Sequence, residues 1–366
     1  MPGHASILYD VTQIVGFDPA RDDSALNDSG QVAGTTSTGM AGTWSNGVVV
    51  SVAIPGASSS EALGINNSGD IAGEFCPSGG GVCPAFLYSN SLLTNLGTLG
   101  GIDAVATGIN EYGQAAGYLL TSAGPSHAFL YENGNMTDIG TLGGSSSIAY
   151  GINNSGEVTG NSAIASGDGH AFLYSAGTMT DLGTLGGTFS SGVAINNSGQ
   201  TVGVSYMPGN GAWHAFLDNG GKMTDLGTLG GTVSEADGVN DSGQVVGFAF
   251  TAGGVSHAFL YSAGTMIDLN SVIDPSLNIT LQQAYAINNA DQILAIGNHG
   301  WELLTPVAAA PEPSAWLLFS GGFLGFAMFR RRNRFANDNP KPIKRRYPEV
   351  AYRLTGKSST NRMRWD

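Results

Sequence analysis

Positive charge is almost missing from most of this 366-residue chain. Residues 1–329 hold two basic residues, Arg21 and Lys222, against 25 Asp and Glu, a net of −23. A body this acidic repels phosphate backbones, which argues against nucleic-acid binding by it. Residues 330–366 reverse the balance, with 12 Lys and Arg against three acids, a net of +9. Only this tail has the charge to meet anionic lipid headgroups.

Cysteine is scarce too. Cys76 and Cys83 are the only two, with no histidine at metal spacing, so a structural zinc site is a poor reading. A local disulfide, implying an oxidising compartment, is the reading preferred over two free thiols. No Gly-x-Ser-x-Gly, His-Glu-x-x-His, phosphate-loop or paired-carboxylate motif occurs, so nothing points to an enzyme or to a cofactor. The N-terminal residues 1–8 lack the basic start and apolar core of a secretory signal. On that reading the true start lies upstream or the body stays in the cytoplasm.

What the chain has in excess is glycine, 56 of 366 residues, alongside 42% apolar residues, so it is turn-dense yet able to bury a core. Many of the glycines belong to one motif. Gly151-Ile152-Asn153-Asn154-Ser155-Gly156-Glu157-Val158 reads as a hairpin with an Asx-Ser-Gly turn. Related turns begin at Asn27, Asn66, Asn110, Asn196, Asn240 and, degraded, Asn288, with successive spacings of 39, 44, 43, 43, 44 and 48. A fixed period of this size identifies a repeat architecture.

Each period also carries an Ala-Phe-Leu-Tyr-type strand, a Met-Thr-Asp-Leu-type strand and a Gly-Thr-Leu-Gly-Gly connector, as at 171–174, 179–182 and 183–187. Four short strands per period fit the blade of a β-propeller, with a β-solenoid as the alternative. The expectation is an all-β, seven-bladed propeller over 8–307. The seventh repeat lacks a fourth strand, and residues 8–15, at the matching distance before Asn27, are expected to supply it beside 299–304.

Beyond the repeats the character changes. Residues 308–314 form a linker containing Pro311-Glu312-Pro313. Residues 315–329 are an uncharged run of 15, ending at Arg330-Arg331-Arg332. The run is expected to form one hydrophobic helix able to insert in a membrane with the arginines on the cytoplasmic side, although about 20 residues span a bilayer comfortably. Residues 330–366 read as a basic disordered tail.

Two features resemble known families. The His-Ala-Phe-Leu-Tyr and Asp-Leu-Gly-Thr-Leu-Gly-Gly segments resemble HAF repeats of probable extracellular bacterial proteins. Pro311, Glu312 and Pro313, the apolar run, and Arg330, Arg331 and Arg332 resemble a PEP-CTERM sorting signal. The resemblance implies export, recognition by a membrane exosortase, and a place in the cell envelope of an exopolysaccharide-producing bacterium. Such signals normally end soon after their arginines, whereas 34 residues follow Arg332 here.

Repetition decides how the polar residues are read. His127, His170, His214, His257 and His299 share one repeat position and are expected to brace a neighbouring turn, not to gather a metal. Asp138, Asp181, Asp225 and Asp268 are read as structural for the same reason, because an active site needs one asymmetric constellation. Binding is expected where the repeats differ, in the loops between second and third strands. There Tyr206, Trp213 and Asp168 are the candidates for stacking on a sugar or meeting an envelope partner. The functional expectation is a non-catalytic surface or matrix propeller that binds polysaccharide or an envelope protein. A propeller lyase or glycoside-active enzyme and a bare scaffold are the alternatives.

Overall fold

A computed structural model of the chain describes residues 9–21, 24–122 and 124–307. Apart from two 3-10 turns, Leu269–Ser271 and Pro275–Leu277, its regular structure is all strand. The fourth repeat shows how one period folds. Strands Gly143–Ile152, Val158–Ile164, Gly169–Ser175 and Thr178–Gly183 pair in sequence order, each antiparallel to the last. Ile152 faces Val158 across the Asn-Asn-Ser-Gly turn, where Gly156 takes a φ of 74°, a region open to glycine at little cost.

Period-2 alternation sends apolar side chains into the space between neighbouring sheets. Ala116, Ala128, Leu130 and Ile139 of the third repeat pack with Ala149, Val158 and Phe172 of the fourth. The third-strand rings Phe86, Phe129, Phe172, Phe216 and Phe259 are all 0% exposed. Each contributes roughly 1.5–3 kcal/mol by leaving water. Their cross-strand partners are Gly73, Gly117, Gly160, Gly203 and Gly247. A β-carbon at Gly160 would stand 2.0 Å from the Ile148 carbonyl oxygen and 2.8 Å from Phe172 Cε1. The small residue lets the ring lie across the sheet.

The chain ends of the body meet. Tyr9–Gln13 lies antiparallel to Gly300–Pro306, with Tyr9 opposite Pro306 and Gln13 opposite Glu302. The Gln13 side-chain amide also donates to the His299 carbonyl at 2.7 Å.

The expectation of seven separate blades is corrected. The described residues form a β-propeller arrangement in which five four-stranded sheets stand as separate blades. The fifth and sixth repeats are instead joined in one eight-stranded sheet. The joint is a parallel bridge from Trp213, the first residue of the strand Trp213–Asp218, to Val233. In the second repeat a matching bridge links Cys83 to Asp103, but Cys83 precedes its strand, Ala85–Ser89, so those sheets stay apart. The expected C-terminal helix is corrected as well. No helix among the described residues is long and apolar enough to cross a membrane, and residues 315–329 lie outside the described residues.

Candidate functional site

The repeated asparagine turns meet at the axis. In each, the first asparagine is 3–4% exposed and uses its whole amide. Asn153 Oδ1 accepts from the Ser155 and Glu157 N–H groups, both at 3.0 Å, which closes its own turn. Its Nδ2 donates to Glu157 Oε2 at 2.8 Å and to the Asn196 carbonyl at 3.1 Å. The inter-repeat bond recurs from Asn27 to Asn66, Asn66 to Asn110, Asn110 to Asn153, Asn196 to Asn240 and Asn240 to Asn288. Asn288 Nδ2 then reaches the Asn27 carbonyl at 2.9 Å and closes the circle.

A second circle lies beside it. The N–H of Asp28, Asn67, Glu111, Asn154, Asn197, Asp241 and Asn289 each donates to the side-chain oxygen of the next, and Asn289 returns to Asp28 at 2.8 Å. Together with an aliphatic ring that includes Ile65, Ile109 and Ile287, the two circles line a cavity of about 170 Å³. The inner amides are saturated, so their chemistry is structural: buried polar groups hold the axis because each is hydrogen-bonded. Sequence reasoning treats the turn as local and misses this axial cavity. The signal was the identity of the second turn position, always Asn, Asp or Glu.

The opposite ends of the strands carry the variable loops and the glycine-rich connectors. Gly187 N–H donates to the Tyr206 carbonyl, and Leu185 N–H donates to Ser205 Oγ, so connector and loop are bonded together. The histidines and aspartates that recur separately in the sequence are partners here. Nδ1 of His127, His170, His214 and His257 lies 2.7, 2.9, 2.9 and 2.6 Å from Asp138, Asp181, Asp225 and Asp268. The histidines therefore brace the fourth strand, not the turn beside them. The first three aspartates also accept an N–H from the connector that follows, at Gly140, Gly183 and Gly227. Among the described residues no three His, Cys, Asp or Glu groups are placed to hold a metal.

Of the candidate binding residues, two are brought into contact. Tyr206 and Trp213 face each other across their strands with ring centroids 5.9 Å apart. Phe189, which sequence reasoning did not single out, extends the group at 5.4 Å from Tyr206. Asp168 reaches this group through its neighbour: a β-carbon on Gly169 would lie 3.0 Å from Phe189 Cε2. The Asp168 carboxylate is exposed and accepts from Ser166 Oγ at 2.8 Å. Asn210 ties the facing loop down, accepting from Thr188 N–H and donating to Thr188 Oγ1, both at 3.0 Å. Cys76 and Cys83 form a disulfide with Cα atoms 4.4 Å apart in the second repeat's loop.

Three buried groups, Glu302, Tyr9 and Asp218, have their ionisation pushed upward by burial. Glu302, 1% exposed, finds no hydrogen-bond partner among the described residues for either carboxylate oxygen, and burial pushes it up to about 7. Burial, then the nearby Asp291 charge, pushes the Tyr9 phenol up to about 12. Pro311, Glu312, Pro313, Arg330, Arg331 and Arg332 lie outside the described residues.

Comparison with known proteins adds the following. Residues 309–332 match the PEP-CTERM protein-sorting motif. The likeness of the body to HAF repeats is not shown. No curated protein matches the sequence. Among solved structures the chain is similar to putative TolB from Agrobacterium tumefaciens, at 16% identity and TM-score 0.37, over 55% of this chain and 80% of that one. It is similar to a mutant of AofleA from Arthrobotrys oligospora, at 12% and 0.38, over 85% and 96%. It is also similar to a catalytically inactive virginiamycin B lyase from Staphylococcus aureus with quinupristin, at 11% and 0.45, over 82% and 100%. At these identities the likeness is one of fold alone. By its own sheet arrangement the chain is a β-propeller protein, and its C-terminal sorting motif implies export to the cell envelope.

Proposed function

We propose that this chain is a non-catalytic envelope or matrix propeller that binds polysaccharide through its variable-loop face. The observation that carries the reading is the Phe189–Tyr206–Trp213 group, with Tyr206 and Trp213 left partly exposed at the strand ends that flank a non-repeating loop. The partly exposed Tyr206 and Trp213 rings, tilted 30° to each other and backed by buried Phe189, offer a sugar ring apolar faces at low entropic cost. The bonds from Asn210 to Thr188 and from Gly187 to Tyr206 hold that platform in place before a ligand arrives. In the same reading an exosortase-type enzyme takes the Pro311-Glu312-Pro313 segment at the membrane, with Arg330–Arg332 on the cytoplasmic side.

Co-sedimentation of the purified chain with insoluble polysaccharides of several linkages tests the proposal. Binding is expected to at least one, to fall about tenfold in Trp213→Ala, equivalent to about 1.4 kcal/mol, and to persist in Trp213→Phe. Binding to none, or equal binding by Trp213→Ala, rejects the aromatic patch as the site.

A further inference from the structure

We infer that the polysaccharide taken by the aromatic patch carries free amino groups, that is, a polymer of partly or wholly N-deacetylated hexosamine. This rests on the polysaccharide-binding reading and specifies its ligand class. The argument is one of charge. The described residues contain two Lys or Arg side chains. Arg21 is paired with Glu61. Lys222 sits in a turn between third and fourth strands, where its carbonyl accepts from Asn219 N–H, at the strand ends away from the variable loops. Neither supplies an unpaired cation to the aromatic face.

Carboxylates do reach that face. Asp168 is exposed, accepts from Ser166 Oγ, and directly precedes Gly169, whose β-position lies 3.0 Å from Phe189 Cε2. Asp181 and Asp225, at the connector ends of the flanking fourth strands, keep 41% and 36% of their side chains exposed. A uronic-acid or sulfated polymer would bring anions against these carboxylates, and among the described residues no Lys or Arg faces them, while His170 and His214 are already held by Asp181 and Asp225. A neutral polymer would gain only the stacking. A glucosaminium unit gains stacking, attraction of its ammonium to the ring faces, and a carboxylate partner in Asp168.

The test is binding of the full chain at pH 6, where the glucosamine amines are protonated, to three soluble oligosaccharide probes of equal length: β-linked glucosamine, its fully N-acetylated form and a uronic acid oligomer. The glucosamine oligomer is expected to bind at least tenfold tighter than the other two and to weaken as salt rises. Asp168→Asn is expected to weaken the glucosamine oligomer several-fold and to leave the acetylated one unchanged. Trp213→Ala is expected to weaken every probe that binds, with Trp213→Phe as the folding control. Equal affinity for the glucosamine and acetylated probes, or preference for the uronic oligomer, overturns the amine assignment while the aromatic site stands. Binding untouched by Trp213→Ala overturns both.

Discussion

Glu302 occupies a column that five other repeats fill with phenylalanine. It pairs across the sheet with Ala295, where those repeats pair phenylalanine with glycine. The register also places it in line with Leu304 and Val11, beside the apolar cluster of Tyr9, Leu269, Leu281 and Leu304. Water is excluded and no donor among the described residues answers the carboxylate, so the neutral acid is the favoured form. The sign follows directly. The folded state holds the proton up to a pH of about 7, the unfolded chain only up to the ordinary value of 4.5. Stability is therefore full below the unfolded value and falls as pH rises between the two, by on the order of 3 kcal/mol. Glu302→Gln, which cannot ionise, is expected to match the wild type near pH 4.5 and to melt roughly 5 °C higher at pH 8. Melting curves of both proteins across that range decide it, and a constant gap between them would show that Glu302 does not titrate there.

At the scale of the element, the N-terminal strand is what makes the repeats a ring. Its position was legible: the distance from residues 8–15 to Asn27 matches that from the fourth strand at Leu182 to Asn196, and the structure pairs Tyr9–Gln13 with the seventh repeat. The division into sheets was not legible. It turns on a single backbone bridge between Trp213 and Val233, and no pattern of side chains encodes where a strand begins relative to its neighbour's connector. The axial circles were hidden for a related reason. Each turn looks self-contained in sequence, while the bonds that matter join residues 39 to 48 positions apart. Tyr206 and Trp213 were legible as loop aromatics, but Phe189 was not, because it lies in a connector and becomes relevant only by packing on Tyr206. The ring makes a prediction for the strand. Deleting residues 1–13 removes buried Tyr9 and opens Gly300–Pro306 as an unpaired edge, a template for pairing with other chains. Trp301, 2% exposed at that seam, reports on it. Denaturation of the intact chain followed by fluorescence should give one transition. The truncated chain should show an earlier partial phase and a concentration-dependent tendency to self-associate. An unchanged single transition would mean that the asparagine circles close the ring without the strand.

Across the whole molecule, the body and the sorting segment are built on different physics. The described residues up to Val307 belong to one compact unit. The described body buries its apolar residues between sheets and closes its polar axis on itself. The sorting segment is instead an address: a Pro-Glu-Pro signature, 15 uncharged apolar residues and three arginines, matched as a protein-sorting motif over residues 309–332. Location and stability should therefore separate under mutation. Replacing Pro311, Glu312 and Pro313 together by alanine is expected to leave the unfolding midpoint of the body within about 0.5 kcal/mol of wild type, as for surface changes generally. In cells that export the chain, the same variant should accumulate at full length in the membrane fraction while the wild type yields a shorter, released or surface-attached species. Fractionation with mass measurement of each species reads the outcome. Equal processing of the two proteins would show that the Pro-Glu-Pro segment is not what the export machinery reads in this chain.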